Sequence, residues 1–251
     1  MFTGEPVAFV TGAGSGIGQT TAARFAEKGC RVAVVDKDPA GITATLELLK
    51  PKGIQVIGIH ADVTVEEDVR LAVDRTCQDL GGLDFAFNNA GIGGLGKPLH
   101  EHTYEEFLNT VSVNLIGVFL CMKHQLKVML QHGEGVIVNT ASALGLIGLA
   151  NVSAYVASKH GVVGVTRAAA ADYAGRGIRI NCVCPGHIAT GMNLRFWEEN
   201  PEAKAFMLGQ LPVGRFGHPA EIAAAVTWLC SEEASFVHGH AFAVDGGMTI
   251  V

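Results

Sequence analysis

Thr11-Gly-Ala-Gly-Ser-Gly-Ile-Gly18 follows directly on the apolar run Val7 to Val10 and opens a helical pattern. In a chain with 32 glycines a GxGxxG string says little alone, but strand, glycine loop and helix in succession describe a phosphate cradle. Glycines permit the tight turn and close backbone approach, while the following helix offers free N–H groups and the positive end of its dipole. Gly12, Gly14, Ser15, Gly16, Ile17 and Gly18 are therefore the residues expected to meet a pyrophosphate, and the ligand class they suggest is a dinucleotide.

Asp36 ends a second apolar run, Arg31 to Val35, 18 positions beyond Gly18. That interval suits a carboxylate that hydrogen-bonds an adenosine ribose, which favours NAD(H), because a 2′-phosphate there would meet a negative charge. Lys37 beside it could attract a phosphate, yet the loop itself carries Ser15 rather than a basic residue.

Short β-branched runs recur with helical segments between them: Val32 to Val35, Val56 to Ile59, Phe85 to Phe87, Val136 to Asn139 and Ile178 to Val183. Strands that are continuously apolar, rather than alternating, imply a parallel sheet covered on both faces. The pattern predicts one doubly wound α/β domain over residues 1–251, and 49% apolar content is ample for its core. Helices are expected to begin near Ser15, Pro39, Thr64, Thr103, Ser153 and Pro219, with Glu106 completing a capping box on Thr103.

A net charge of −6 with dispersed basic residues offers no stripe for a nucleic-acid backbone. No uninterrupted run of eighteen apolar residues suggests a bilayer span, and the opening residues resemble no signal peptide, so no membrane partner is expected. The six cysteines lack CxxC pairs, and Cys182 and Cys184 share one face of an expected buried strand. Free thiols of this kind suit a reducing cytoplasm. Ten histidines without an HExxH or i,i+4 pair give no reason to expect a metal.

Chemistry enters with Ser142, Tyr155 and Lys159, an S-x12-Y-xxx-K arrangement. Tyr155 and Lys159 lie four apart on an expected helix and so project from one face. An ammonium near a phenol stabilises the phenolate, and an oxidised nicotinamide adds a second positive charge. Free tyrosine titrates near ~10, and each tenfold toward neutrality takes roughly 1.4 kcal/mol from such neighbours. Tyr155 then serves as general base toward an alcohol or general acid toward a ketone. Ser142 can hold the substrate oxygen, and Asn114 is the candidate for passing protons from Lys159 toward solvent. A YxxxK pair alone is commonly a half-buried aromatic and a solvated lysine; its conjunction with the glycine loop is what carries the reading.

These motifs resemble the short-chain dehydrogenase/reductase family, in its compact single-domain branch. The likeness runs end to end: TGAGSGIG at Thr11, Asp36, Asp62-Val63, Asn88-Asn89-Ala90-Gly91, Asn114, Ser142, Tyr155-Val-Ala-Ser-Lys159, Pro185-Gly-His-Ile-Ala-Thr190 and Asp245-Gly246-Gly247. The resemblance implies a Rossmann-type sheet of about seven strands and an Asn114-Ser142-Tyr155-Lys159 tetrad. It implies Asp62 and Val63 at the adenine, Asn89 on the adenosine side, and Ile188 and Thr190 at the nicotinamide carboxamide. It further implies a homotetramer built on the helices at 103–130 and 153–174 and the C-terminal segment. His187 stands at a variable position near nicotinamide and substrate, where substrate contact and simple solvation are both open.

The segment 187–215 offers Met192, Leu194, Phe196, Trp197, Met207 and Leu208, which reads either as an apolar lid over substrate or as a subunit contact. Basic residues near it are limited to Arg195, Lys204 and Arg215, so the expected partner is a neutral, hydrophobic secondary alcohol or ketone, and cyclic alcohol and dihydrodiol dehydrogenases are similar in sequence. Alternatives are an NADPH-dependent 3-oxoacyl-thioester reductase and a catalytically silent dinucleotide-binding protein. A methyltransferase would share the glycine loop without needing S-x12-Y-xxx-K, and a sugar-nucleotide epimerase would carry a larger C-terminal domain.

Overall fold

Residues of each strand divide by parity between two apolar layers. In β1 (Val7–Thr11), Val7 and Phe9 pack into one layer, while Ala8 and Val10 pack into the other. β2 (Arg31–Asp36) repeats this with Ala33 and Val35 against Val32 and Val34. Both faces are thus roofed, which is why the strands read as unbroken hydrophobic runs. A buried Phe9 or Phe25 contributes about 1.5–3 kcal/mol by leaving water.

The computed structural model describes residues 5–250, except the side chain of Met192, so the expectation placed on that side chain lies outside the described residues. Seven parallel strands form one sheet in the order β3-β2-β1-β4-β5-β6-β7, where β3 is Val56–His60, β4 Phe85–Asn88, β5 Gly135–Thr140, β6 Ile178–Pro185 and β7 Ala241–Val244. Helices α1 (Gly16–Glu27), α2 (Pro39–Leu49) and a late helix, Pro219–Cys230, cover one face. The other is covered by α3 (Glu66–Leu80), by a helical stretch from Tyr104 to His132, and by a helix at Ser153–Tyr173. Strand order reverses between β1 and β4, and the crevice at their carboxyl ends is where an open α/β sheet receives a ligand.

Two expectations about the helices change. α3 starts at Glu66, with Val65 as its extended N-cap, rather than at Thr64, because Thr64 is drawn back into a turn on Asp62, whose Oδ1 accepts hydrogen bonds from both Thr64 N (2.8 Å) and Thr64 Oγ1 (2.7 Å). The long helix is divided into α4 (Tyr104–Val111), a π-helical segment (Ser112–Ile116) and α5 (Gly117–His132). The Thr103–Glu106 capping box at its start is present.

Tyr104–His132 is also long and apolar enough, by length and composition, to cross a membrane, although no eighteen apolar residues run uninterrupted. More than half of its most apolar stretch is buried inside the fold. Its apolarity serves two directions: Val118, Met122, Leu126 and Met129 enter the core, while Leu108, Ile116 and Phe119 face outward.

Candidate active site

The glycine loop between β1 and α1 has the shape its sequence suggests. Gly12 (φ 63) and Gly16 (φ 54) occupy the left-handed region. A side chain on Gly18 would collide with the Gly12 carbonyl oxygen, so α1 can approach the loop only without one. Ser15 is the extended N-cap of α1 and makes no side-chain cap, which leaves the helix end to a ligand; Ile17 packs beneath it against the core. These features fit a pyrophosphate.

Asp36 reaches that loop directly. Gly14 N donates to its Oδ2 at 2.8 Å and Asp38 N to its Oδ1 at 3.0 Å, so the carboxylate is fixed at the loop's edge with lone pairs to spare. Asp62 stands at the end of β3, its carboxyl held below the usual range by hydrogen bonds from Thr64. Val63 is buried with Val69, Leu120 and Cys121. Asn89 Nδ2 donates to the Thr11 carbonyl (3.1 Å) and toward the Gly12 carbonyl (3.4 Å), and Asn89 N donates to Thr11 Oγ1 at 2.9 Å. Asn89 therefore ties β4 to the glycine loop. Thr190 stands over the same loop, its Cγ2 3.2 Å from where a Gly16 Cβ would lie, and Ile188 forms a parallel bridge with Gly217.

Ser142, Tyr155, Lys159 and Asn114 converge from three elements. Ser142 leaves β5 in extended conformation with its Oγ accepting from Leu144 N at 3.1 Å and hydrogen-bonded to Tyr155. Tyr155 and Lys159 lie on α6 (Ser153–Tyr173), with Nζ 5.7 Å from the phenol ring centre. Nζ donates to the Thr140 carbonyl at 2.8 Å, and Lys159 is only 3% exposed. Burial pulls its pKa down to about 8. Burial pushes the Tyr155 phenol up, and the Ser142 hydrogen bond opposes that rise.

Asn114 lies in the π-helical segment, whose wide turn is a frequent mark of functional sites. Its Oδ1 accepts from Ile92 N (2.8 Å), and its Nδ2 donates to the Ile92 carbonyl (3.0 Å) and Ser158 Oγ (3.3 Å). A Cβ on Gly91 would lie 3.1 Å from Asn114 Oδ1 and 3.6 Å from Lys159 Nζ, so these groups face each other across a bare backbone. Ser158, whose Oγ donates to the Tyr155 carbonyl at 2.7 Å, and Gly94, where a Cβ would come 2.9 Å from Tyr155 Cβ, escaped sequence reasoning. So did a buried amide chain beneath the site. Asn88 Nδ2 donates to Gln125 Oε1 and Asn139 Oδ1 (both 3.0 Å), and Asn139 Nδ2 donates to Thr166 Oγ1 at 2.9 Å, linking β4, β5, α5 and α6. Ser158 and Asn88 stand inside the motifs quoted above, but nothing in the sequence tells what their side chains meet.

The 187–215 segment forms a hairpin of α7 (Gly191–Glu199) and α8 (Pro201–Gly209). Trp197 does not present a face to substrate. It is 2% exposed, stacked on Phe216 (ring centres 3.7 Å, 16°), with Nε1 donating to Met207 Sδ at 3.2 Å, and so fastens the hairpin to the 211–217 loop. Leu194, Phe196 and Phe206 are exposed. His187 is half-buried: its Nε2 lies 2.8 Å from Gln210 Oε1, and burial lowers its pKa. Leu144, Ile147, Val152, Tyr155 and Leu211 belong to one apolar cluster beside Ser142. Among the described residues no group of three or more His, Cys, Asp or Glu could hold a metal.

A dinucleotide cradle at the β1/β4 switch point, joined to a Ser-Tyr-Lys constellation on β5 and α6, defines a nicotinamide-dependent oxidoreductase. A family model described as enoyl-(acyl carrier protein) reductase matches residues 12–249, and the chain belongs to the short-chain dehydrogenase/reductase family. It is 43% identical over 244 residues to the 2,5-dichloro-2,5-cyclohexadiene-1,4-diol dehydrogenase of Sphingobium indicum, covering 96% of each chain. It is 42% identical over 243 residues to the cyclohexanol dehydrogenase of Acinetobacter sp. strain SE19, covering 97% of this chain and 94% of that one. The crystal structure of levodione reductase superposes with a TM-score of 0.93 at 39% identity, covering 98% of both chains. The family's fold binds a nicotinamide dinucleotide.

Proposed function

We propose that this protein interconverts a neutral, mainly hydrophobic secondary alcohol, cyclic or a cyclic diol, with its ketone, using NAD(H). The observation that carries the reading is the convergence of Ser142, Tyr155 and Lys159 beside an apolar cluster, at the mouth of a cradle edged by Asp36. Asp62, Val63 and Asn89 serve the adenosine half, and Ile188 and Thr190 the nicotinamide amide. When bound, the nicotinamide supplies the hydride acceptor or donor and, oxidised, a positive charge. Ser142 holds the substrate oxygen by its hydroxyl. Tyr155 takes the alcohol proton, or returns it to the ketone oxygen. Its phenol is raised by burial, so it needs cationic neighbours to ionise near neutrality; Lys159 is one of them. Asn114 holds the Ile92 backbone beside Lys159, and the bare Gly91 leaves the space for a water that returns the proton to solvent.

The apolar cluster beside Ser142 supports a neutral substrate. Lys97 is engaged by Glu106 (2.6 Å) and Arg215 by Glu221 (2.8 Å), which leaves Arg195 and Lys204 as the cations of this segment open to the phosphate-bearing carrier of the acyl-thioester alternative. Six free thiols suit the cytoplasm, and the outward Leu108, Ile116 and Phe119, with Phe236 and Ile250, suit a homotetramer. The test is steady-state kinetics at ~340 nm with NAD and NADP against cyclohexanol-type alcohols, cyclic diols, a β-keto thioester and a free sugar. Preference for NAD and cyclic alcohols is the expected result. Preference for the thioester or sugar, or equal use of NADP, overturns the reading.

A further inference from the structure

Arg215 and Glu221 form a bidentate pair, Nη1 to Oε2 at 2.9 Å and Nη2 to Oε1 at 2.8 Å, and Glu221 Oε2 also accepts from His218 N at 2.8 Å. The pair is half-exposed at the surface, where ion pairs of this kind contribute little to global stability. Its geometry does something else. It closes the segment 215–218 into a fixed loop against the first turn of α9 (Pro219–Cys230).

That loop is the support on which residues 187–189 rest. Gly217 N donates to the His187 carbonyl (3.0 Å), Ala189 N donates to the Gly217 carbonyl (2.8 Å), and Ile188 pairs with Gly217 in a parallel bridge. A Cβ on Gly217 would fall 2.6 Å from Ile188 Cδ1, so Ile188 packs its side chain directly over the bare Gly217 backbone. The neighbouring Phe216 carries the Trp197 stack that fastens α7. One four-residue segment therefore bears both the Ile188 bridge and the α7–α8 hairpin, and its fixed end is the Arg215–Glu221 fork.

We infer that Arg215 and Glu221 are positioning residues for the nicotinamide half of the site: they hold Gly217 in place, and Gly217 holds Ile188 and Ala189 in register for the cofactor's amide. This rests on the functional reading above, in which residues 188–190 serve the nicotinamide. Planar, bidentate recognition of a carboxylate fixes orientation as well as distance, which a lysine cannot reproduce. Among the described residues no hydrogen bond or ion pair joins the fork to the glycine loop, Asp36 or Asp62, which hold the adenosine half.

That separation supplies the test. Arg215→Met removes the fork while leaving the Glu221 cap on His218 N, so α9 keeps its start. NADH and ADP-ribose, which lacks the nicotinamide, are titrated calorimetrically against the wild-type and variant oligomers, with thermal melts alongside. The expected result is a Kd for NADH raised on the order of tenfold, with ADP-ribose within about twofold and the melting temperature little changed. Arg215→Lys should recover only part of the NADH affinity. Equal weakening of both ligands, or no change in either, overturns the proposal, the first because the fork would then serve the whole fold. If the wild type binds ADP-ribose but not NADH and turns over no alcohol, the functional reading falls and takes the proposal with it.

Discussion

Lys159→Met isolates the price of a buried charge at the centre of the site. Lys159 is 3% exposed, and burial brings its pKa from an ordinary 10.5 to about 8. At ~1.4 kcal/mol per tenfold, burying this ammonium near neutral pH costs the folded state on the order of 3 kcal/mol. Against this, Nζ donates to the Thr140 carbonyl at 2.8 Å, and stranding that buried acceptor costs about 1–3 kcal/mol. The two effects are of similar size, so the variant's stability near pH 7 should differ little from wild type. The pH dependence is not balanced in this way. Above pH 8 the folded protein has released the proton while the unfolded chain keeps it until about 10.5, so this group adds stability as pH rises through that window. Chemical denaturation of both proteins from about pH 7 to about pH 10 should show the difference moving toward wild type by about 2–3 kcal/mol, other titrating groups cancelling in the comparison. Turnover should fall by about a hundredfold or more, because the phenol loses its cationic neighbour. A stability difference flat to within about 1 kcal/mol across that range would refute the reasoning, since Lys159 would then titrate as a solvated side chain.

Tyr155→Phe removes the proton-transferring hydroxyl and its Ser142 hydrogen bond but little packing, so turnover should fall by ~10² or more with NADH affinity nearly unchanged, as steady-state kinetics and ligand titration would show. Wild-type protein should favour NAD over NADP by at least about tenfold in kcat/KM, roughly 1.4 kcal/mol. Asp36→Asn should narrow that ratio, and is a cleaner probe than alanine because it keeps an acceptor for a backbone N–H of Gly14 or Asp38. Trp197→Ala loses a buried stack of the kind that costs about 3–5 kcal/mol, capped here by undocking of the α7–α8 hairpin. Substrate KM should therefore rise with only a small fall in the melting temperature, and an unchanged KM would show that the hairpin does not govern substrate access.

The dinucleotide cradle, the parallel sheet and the Tyr155–Lys159 pair were legible in the sequence because each rests on local rules. A glycine loop between strand and helix admits few conformations, a doubly roofed strand must be apolar at every position, and residues four apart on a helix share a face. Asp36 was legible for the same reason: the end of β2 delivers it to the loop, where Gly14 N meets it at 2.8 Å. Contacts between segments distant in the chain had no such signature. Nothing in the sequence shows that Thr64 turns back onto Asp62, or that Trp197, whose segment reads equally as a lid or a subunit contact, stacks on Phe216. His187 was assigned to neither substrate nor solvent by its position, and what it meets is Gln210, 23 residues on. The π-helical turn that aims Asn114 at Ile92, and the Arg215–Glu221 fork behind Gly217, depend on which surfaces the finished fold presses together. Local preferences select the elements, whereas the pairing of one element's side chains with another's depends on tertiary packing, which leaves no period in the sequence.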